Sequence, residues 1–161
     1  MTYLITFACY GCHLHGRESG SVDRNHCLPG SRLLESDLCR VRAEQRLMDQ
    51  APYLLDGDRR TVVLQSLQEV CLYRDWKLLA AHIRTTHVHV VVEGEVQPEK
   101  ILSNFKSYAS RYLTRSGLDS SDRKRWARHG STRWLWNEES VSAAVRYVVH
   151  GQGEAMEVYE G

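Results

Sequence analysis

The sequence predicts an α+β domain, a ferredoxin-like βαββαβ antiparallel sheet with helices on one face and a last helix near the other. Three observations carry this. Thr86-His87-Val88-His89-Val90-Val91-Val92 has five β-branched residues in seven and reads as a strand. Strand-like runs also open the chain and recur at 76–84 and 132–136. Between them lie segments whose apolar residues repeat at helical spacing.

Taken in order, Tyr3 to His13 is rich in β-branched and aromatic residues and reads as the first strand. Gly16 to Arg32, with its glycines, serines and Pro29, reads as a long loop of the kind that carries function. Asp37 to Gln50 reads as a helix through Leu38, Val41, Leu47 and Met48. Asp56 can cap a second helix to Tyr73, with Val62, Val63, Leu67, Val70 and Cys71 on its stripe. Trp76 to Arg84 is a second strand, and the short step through Thr85 makes an antiparallel hairpin with the histidine strand. Pro98 opens a helix to Thr114, which Ser116 and Gly117 end. Residues 119–132 are polar and basic and read as a loop with a short helical piece. Thr132 to Trp136 is a fourth strand, and Asn137 caps a last helix to His150 through Val141, Ala144, Val145 and Val148. The tail Met156 to Tyr159 can add an edge strand.

Composition is that of an ordinary globular chain, 42% hydrophobic and 25% charged over 161 residues. The net charge of +1 hides an asymmetry. Lys100 to His150 holds ten Lys/Arg against four Asp/Glu, whereas residues 1–99 hold eleven against thirteen. A basic second half suggests a polyanionic partner. No stretch approaches the roughly 18 apolar residues of a membrane span, and the opening residues do not read as a signal peptide. Five cysteines are an odd number for a disulfide framework, so a reduced, cytoplasmic protein is expected. Cys9-x-x-Cys12, with His13, His15, Cys27 and Cys39 nearby, has partial zinc-site content. A strand, however, turns Cys9 and Cys12 to opposite faces, and there is no second close pair.

On a strand, His87 and His89 share one face while Val88, Val90 and Val92 share the other. Two imidazoles about 7 Å apart can converge on one divalent metal. Glu93 completes a cupin-like His-x-His-x-x-x-Glu string, but a regular strand puts it about 13 Å beyond His89. The helix after Pro98 also does not suit an all-β barrel, and that reading fails. A second reading of the pair needs a nucleophile on a later helix, where Tyr108, Tyr112 and Tyr147 are candidates. Ile101, Phe105, Tyr108 and Tyr112 step by four, three and four, which makes a core stripe. Tyr147 instead flanks the stripe of Val141, Ala144, Val145 and Val148 and precedes His150, Gly151 and Gln152.

His87-Val88-His89, a helix bearing Lys106 and Tyr108, and Tyr147 on a terminal helix 60 residues after His87 together resemble the single-tyrosine transposases of the HUH endonuclease superfamily. Within it the chain is most similar to the insertion-sequence transposases and their REP-associated domesticated relatives. The likeness runs from the first strand to Gln152, and it implies one catalytic domain over residues 1–161. It implies metal-dependent cleavage and strand transfer on single-stranded or hairpin DNA. His87 and His89 would hold Mg²⁺ or Mn²⁺, and Tyr147 would attack to give a 5′-phosphotyrosine. The third family ligand, one helical turn after the tyrosine, falls on Gly151, which has no side chain; Gln152 resembles the family's ligand type, and His150 flanks the same position. The resemblance also implies a location at the nucleoid, and either a homodimer that exchanges the tyrosine helix or a monomer that keeps it.

DNA contact is expected from Lys106, Arg111, Arg115, Arg123, Lys124, Arg125, Arg128 and Arg133, with Lys106 near the scissile phosphate. Arg17, Arg24 and His26 on the long loop can meet a hairpin. Trp126, Trp134 and Trp136 can stack unpaired bases or serve as core aromatics. The competing reading is a non-catalytic binding module for single-stranded or hairpin nucleic acid on the same fold, in which His87, His89 and Tyr147 are dispensable.

Overall fold

The computed structural model describes residues 1–12 and 38–161. The predicted loop Gly16–Arg32, and His13, His15 and Cys27 of the zinc reading, lie outside the described residues.

The elements are β1 (Thr2–Cys9), α1 (Leu38–Arg46), α2 (Gly57–Arg74), β2 (Lys77–Ile83), β3 (His87–Glu93), α3 (Pro98–Arg115), β4 (Trp126–Leu135), α4 (Glu138–His150) and β5 (Glu157–Glu160). The strands form one antiparallel sheet in the order β4-β1-β3-β2-β5. Strict alternation divides it into two faces. Tyr3, Ile5, Phe7 and Cys9 of β1 and Val88, Val90 and Val92 of β3 turn to one side. There they meet Val63, Leu67 and Val70 of α2 and Ile101, Phe105, Ala109 and Leu113 of α3. On the other side Ala80, Val91 and Leu135 meet Ala144 and Val148 of α4 in a smaller core. That second core seats the tyrosine helix on the histidine face.

Local chemistry accounts for the helix starts. Asp56 accepts from the Arg59 N–H at 3.0 Å, Pro98 occupies the first turn of α3, and Asn137 and Ser140 form a reciprocal capping box on α4. A buried ion cluster ties the α3–β4 connection down. Asp119 receives Arg59 and Arg125, and the Tyr53 hydroxyl donates to it.

Three expectations need correction. The first helix ends at Arg46, short of Gln50, and Leu47 is exposed. Pro52 disfavours helix just ahead of it, and Tyr53 and Leu55 instead bury themselves while their N–H groups donate to Tyr10 and Thr85 carbonyls. Residues 126–131, expected to be loop, belong to β4. Arg128, His129, Ser131 and Arg133 are exposed on this edge strand, and such charge disguises a strand while protecting its edge from aggregation. On α3 the buried stripe is Ile101, Phe105, Ala109 and Leu113, so Tyr108 and Tyr112 are only half-buried at its side.

Two irregularities shape the sheet. In β2 the pairs Leu78–Val92 and Ala80–Val91 leave Leu79 as an extra residue. That bulge shifts the alternation, so His82 faces the same side as His89, its direct partner. Between Phe7–Gly130 and Cys9–Trp126, one β1 residue faces three of β4. A Cβ on Gly130 would lie 2.7 Å from the Thr6 carbonyl oxygen, so the close approach there requires glycine.

Candidate active site

His87 and His89 sit side by side on β3 with ring centroids 4.7 Å apart. Each ring is steadied at Nδ1 by a threonine hydroxyl, Thr86 at 3.0 Å from His87 and Thr6 of neighbouring β1 at 2.8 Å from His89. Fixing Nδ1 orients the ring and leaves Nε2 as the natural metal-facing atom. Burial above all, then the neighbouring His87, His82 and Arg84, pushes the His89 pKa down to about 4, while a hydrogen bond donated to Gln152 opposes that fall. His89 is therefore a neutral imidazole at pH 7, the protonation state a metal needs.

Tyr147 reaches this pair from α4. Its ring lies 5.9 Å from that of His89, edge to face, and the residue is 49% exposed. Ala144 and Val148 bury against the sheet and leave Tyr147 at the margin, as its helical phase predicts. The helix stops one turn later. The Gly151 N–H donates to the Tyr147 carbonyl at 2.9 Å, and a Cβ at Gly151 would lie 2.7 Å from that oxygen. Glycine here lets the chain fold back tightly, and Gly153 at φ +79° completes the turn. Gln152 thereby comes against His89 and also donates from Nε2 to the Tyr147 carbonyl at 3.3 Å. His150 is exposed. Of the two residues expected to flank the third ligand position, Gln152 is the one in contact with the histidine pair.

The turn after α4 is fastened from β2 by two residues that the sequence reading missed. Arg84 donates to the carbonyls of Gln152 and of Glu154, the latter at 3.1 Å. His82 is fully buried and hydrogen-bonded at both nitrogens: Nδ1 to the Val148 carbonyl at 3.0 Å, and Nε2 to the Met156 N–H at 3.2 Å. Because Met156 must donate, Nε2 carries no proton and Nδ1 carries one. Burial keeps the His82 pKa low, consistent with that neutral tautomer. A signal for His82 existed, since hairpin pairing of Ile83 with Val88 necessarily puts His82 opposite His89.

Two imidazoles and a carboxamide suit Mg²⁺ or Mn²⁺ poorly on their own but well beside an anionic phosphate that completes the shell. Among the described residues no group of three His, Cys, Asp or Glu side chains is gathered to hold a metal. The donor set fits a divalent cation whose remaining ligands are oxygens from outside the chain.

The basic residues expected to contact DNA separate into two sets. Arg125 is buried, donating to Asp119, Thr114, Ser120 and the Arg123 carbonyl. Arg123 is held by Gln50 and the Ala51 carbonyl, and Lys124 by Asp49 at 2.5 Å. Lys106 lies over the Phe7 ring, on the sheet face away from the histidines. Its ammonium donates to the carbonyls of Ala127 and His129 in the bulged part of β4, and burial lowers its pKa to about 8. Arg111, Arg115, Arg128 and Arg133 are exposed. Among the described residues, no helix is long and apolar enough to cross a membrane. Buried Cys9 has its pKa raised by desolvation and stays a thiol, its sulfur turned toward the Thr85 carbonyl.

The sequence model of the family described as "Transposase IS200 like" matches residues 50–149. No curated protein matches the chain. Among solved structures, one described as a REP-associated tyrosine transposase bound to a REP hairpin superposes with a TM-score of 0.50 at 12% identity. The match covers 93% of this chain and 65% of that one, so the chain spans under two thirds of that relative. A candidate transposase of Deinococcus radiodurans superposes with a TM-score of 0.48 at 10% identity, covering 92% of this chain and 88% of that one.

Proposed function

The chain belongs to the IS200-like transposase family, and from that premise we propose that it is a metal-dependent single-stranded DNA endonuclease and strand transferase working through Tyr147. The observation that carries the reading is one continuous row of contacts: His87 against His89, His89 against Tyr147, and Gln152 reaching back to His89.

In this mechanism the strand lies across the histidine face with the scissile phosphate beside His87 and His89. A Mg²⁺ or Mn²⁺ ion held by His87, His89 and Gln152 would polarise the phosphoryl oxygens and offset the developing negative charge. The Tyr147 Oη attacks phosphorus, the P–O3′ bond breaks, and the departing 3′ oxygen takes up a proton. The 5′ phosphate stays esterified to Tyr147. A neutral phenol is a weak nucleophile, so positioning supplies much of the rate. Half-exposure lets its proton pass to water. The covalent step keeps the phosphoester bond energy, so a 3′-OH of a second strand can attack the same phosphorus and release Tyr147. Tyr147 stands beside His89 of its own chain, which supports the alternative in which the chain keeps its tyrosine helix over the one in which two chains exchange it. The REP-hairpin complex of the similar structure supports hairpin or single-stranded DNA as the partner here too.

The test is incubation of the full chain with end-labelled hairpin-plus-tail oligonucleotides in Mn²⁺ or Mg²⁺. A protein–DNA adduct that survives denaturation, and is absent in EDTA and in Tyr147→Phe, supports the reading. Metal-independent binding without any adduct across a broad set of oligonucleotides supports the binding module instead.

A further inference from the structure

The three tryptophans near β4 occupy unlike positions. Trp126 is packed edge-on against Phe7 and Tyr53, and its indole N–H donates to the Lys106 carbonyl and Ser110 Oγ. It is partly buried and packed against the main core. Trp134 rests edge-on against Tyr3 at 4.9 Å, on the sheet face that carries α2 and α3 rather than on the histidine face. Trp136 lies flat on Trp134, centroids 5.1 Å apart and planes 11° from parallel, yet is 80% exposed. A large indole left this open, on a protein with a full core elsewhere, is the kind of exposure that marks a binding surface. The inner indole fixes the outer one in orientation, so little rotamer freedom remains to be lost when a third ring is added.

Its surroundings narrow the occupant. An open groove of about 680 Å³ adjoins the pair, lined by Lys77, Leu79, Glu93, Glu138 and Val141 as well as the two tryptophans. Lys77 set against two carboxylates leaves the groove without the positive excess that would hold a phosphate, a balance to which a neutral planar base is indifferent. Phosphates have a better place round the edge of β4: Arg133, paired with Leu4, is exposed on the histidine side of that strand, two residues from Ser131 in the Ser131–Thr6–His89 row. From Glu93 at the groove to His87 is six residues of strand, about 20 Å. A single-strand site of about 4–16 nucleotides covers such a span.

We propose that Trp136, backed by Trp134, is a stacking site for one unpaired nucleobase of the DNA strand whose phosphate reaches His87 and His89. The site rests on the DNA-cleaving reading for its ligand class, and it adds a base contact remote from the scissile phosphate. Base stacking on an aromatic is sequence-tolerant, so this contact supplies affinity and register rather than sequence choice.

The experiment compares fluorescein-labelled oligothymidylate of about 20 nucleotides with an abasic oligomer of equal length, by anisotropy with the full chain. Wild type is expected to bind the thymidylate about tenfold more tightly than the abasic strand, Trp136→Phe to keep most of that preference, and Trp136→Ala to lose it. Affinity for the abasic strand should be equal in all three, which also shows that the variants are folded. Equal base preference in wild type and Trp136→Ala overturns the proposal, as does the absence of any preference in wild type. A change of oligomeric state in Trp136→Ala, with base preference intact, would also overturn it and make the platform a contact between copies. The adduct assay stands apart: base preference lost in Trp136→Ala with no adduct in wild type would keep this site and sink the cleavage mechanism.

Discussion

His89 is buried and held at Nδ1, and its neighbours decide how it responds to pH. Its folded pKa near 4 lies below the unfolded value of about 6.5. The unfolded chain therefore binds more protons through that interval, and stability falls as pH drops from about 6.5 toward 4. His82, shifted in the same direction by its own burial, adds to the loss. Denaturation in EDTA should show up to about 3 kcal/mol less stability at pH 4.5 than at pH 7.5 from His89 alone; a flat profile would mean that His89 is not buried neutral. Thr6 acts on His89 through its 2.8 Å contact at Nδ1. Thr6→Val keeps the shape but removes the hydroxyl, and it should weaken Mn²⁺ binding to the DNA-bound chain about tenfold in calorimetry while leaving the far-UV spectrum unchanged. The histidine pair and Tyr147 were legible in the sequence because their periodicities, two on a strand and 3.6 on a helix, are local. Thr6 was not, since only the antiparallel register of β1 with β3 makes it a neighbour of His89.

At the scale of elements, α4 is the part whose position matters most. Its small core of Ala144 and Val148 against Ala80, Val91 and Leu135 seats it on the sheet, and its end is latched by His82 and Arg84. Replacing His82 by alanine strands a buried carbonyl and a backbone N–H and leaves a void. The expected cost is about 2–3 kcal/mol, with amide exchange quickening at residues 147–156 ahead of the rest of the sheet. Uniform exchange across the molecule would show that the latch is not local. The sequence predicted α4 and its Asn137 cap because caps are short-range chemistry. Hairpin register offered His82 opposite His89, but not the latch, because the turn after α4 that His82 and Arg84 hold is brought to them only by tertiary packing. The same limit hid the first half of β4. Its exposed Arg128 and His129 read as loop until β1 pairs beside them.

For the whole molecule, a net charge of +1 conceals a basic second half, but that half is not uniformly available. Arg125 is spent on the Asp119 cluster, whereas Arg133 stands open on the edge strand. Arg133→Ala should lower the slope of log affinity for single-stranded DNA against log salt by about 0.7 and leave stability unchanged. Arg125→Ala should instead cost about 2–4 kcal/mol of stability in urea, because it breaks a buried charge network. A sequence-level count of basic residues treats the two alike; only burial tells them apart. The central claim remains that Tyr147 is the group that becomes joined to DNA. The most direct measurement is proteolysis of the adduct formed with Mn²⁺ and mass spectrometry of the peptide that carries the nucleotide. The account predicts attachment at Tyr147 through a 5′ phosphate. Attachment at Tyr108 or Tyr112 would contradict it.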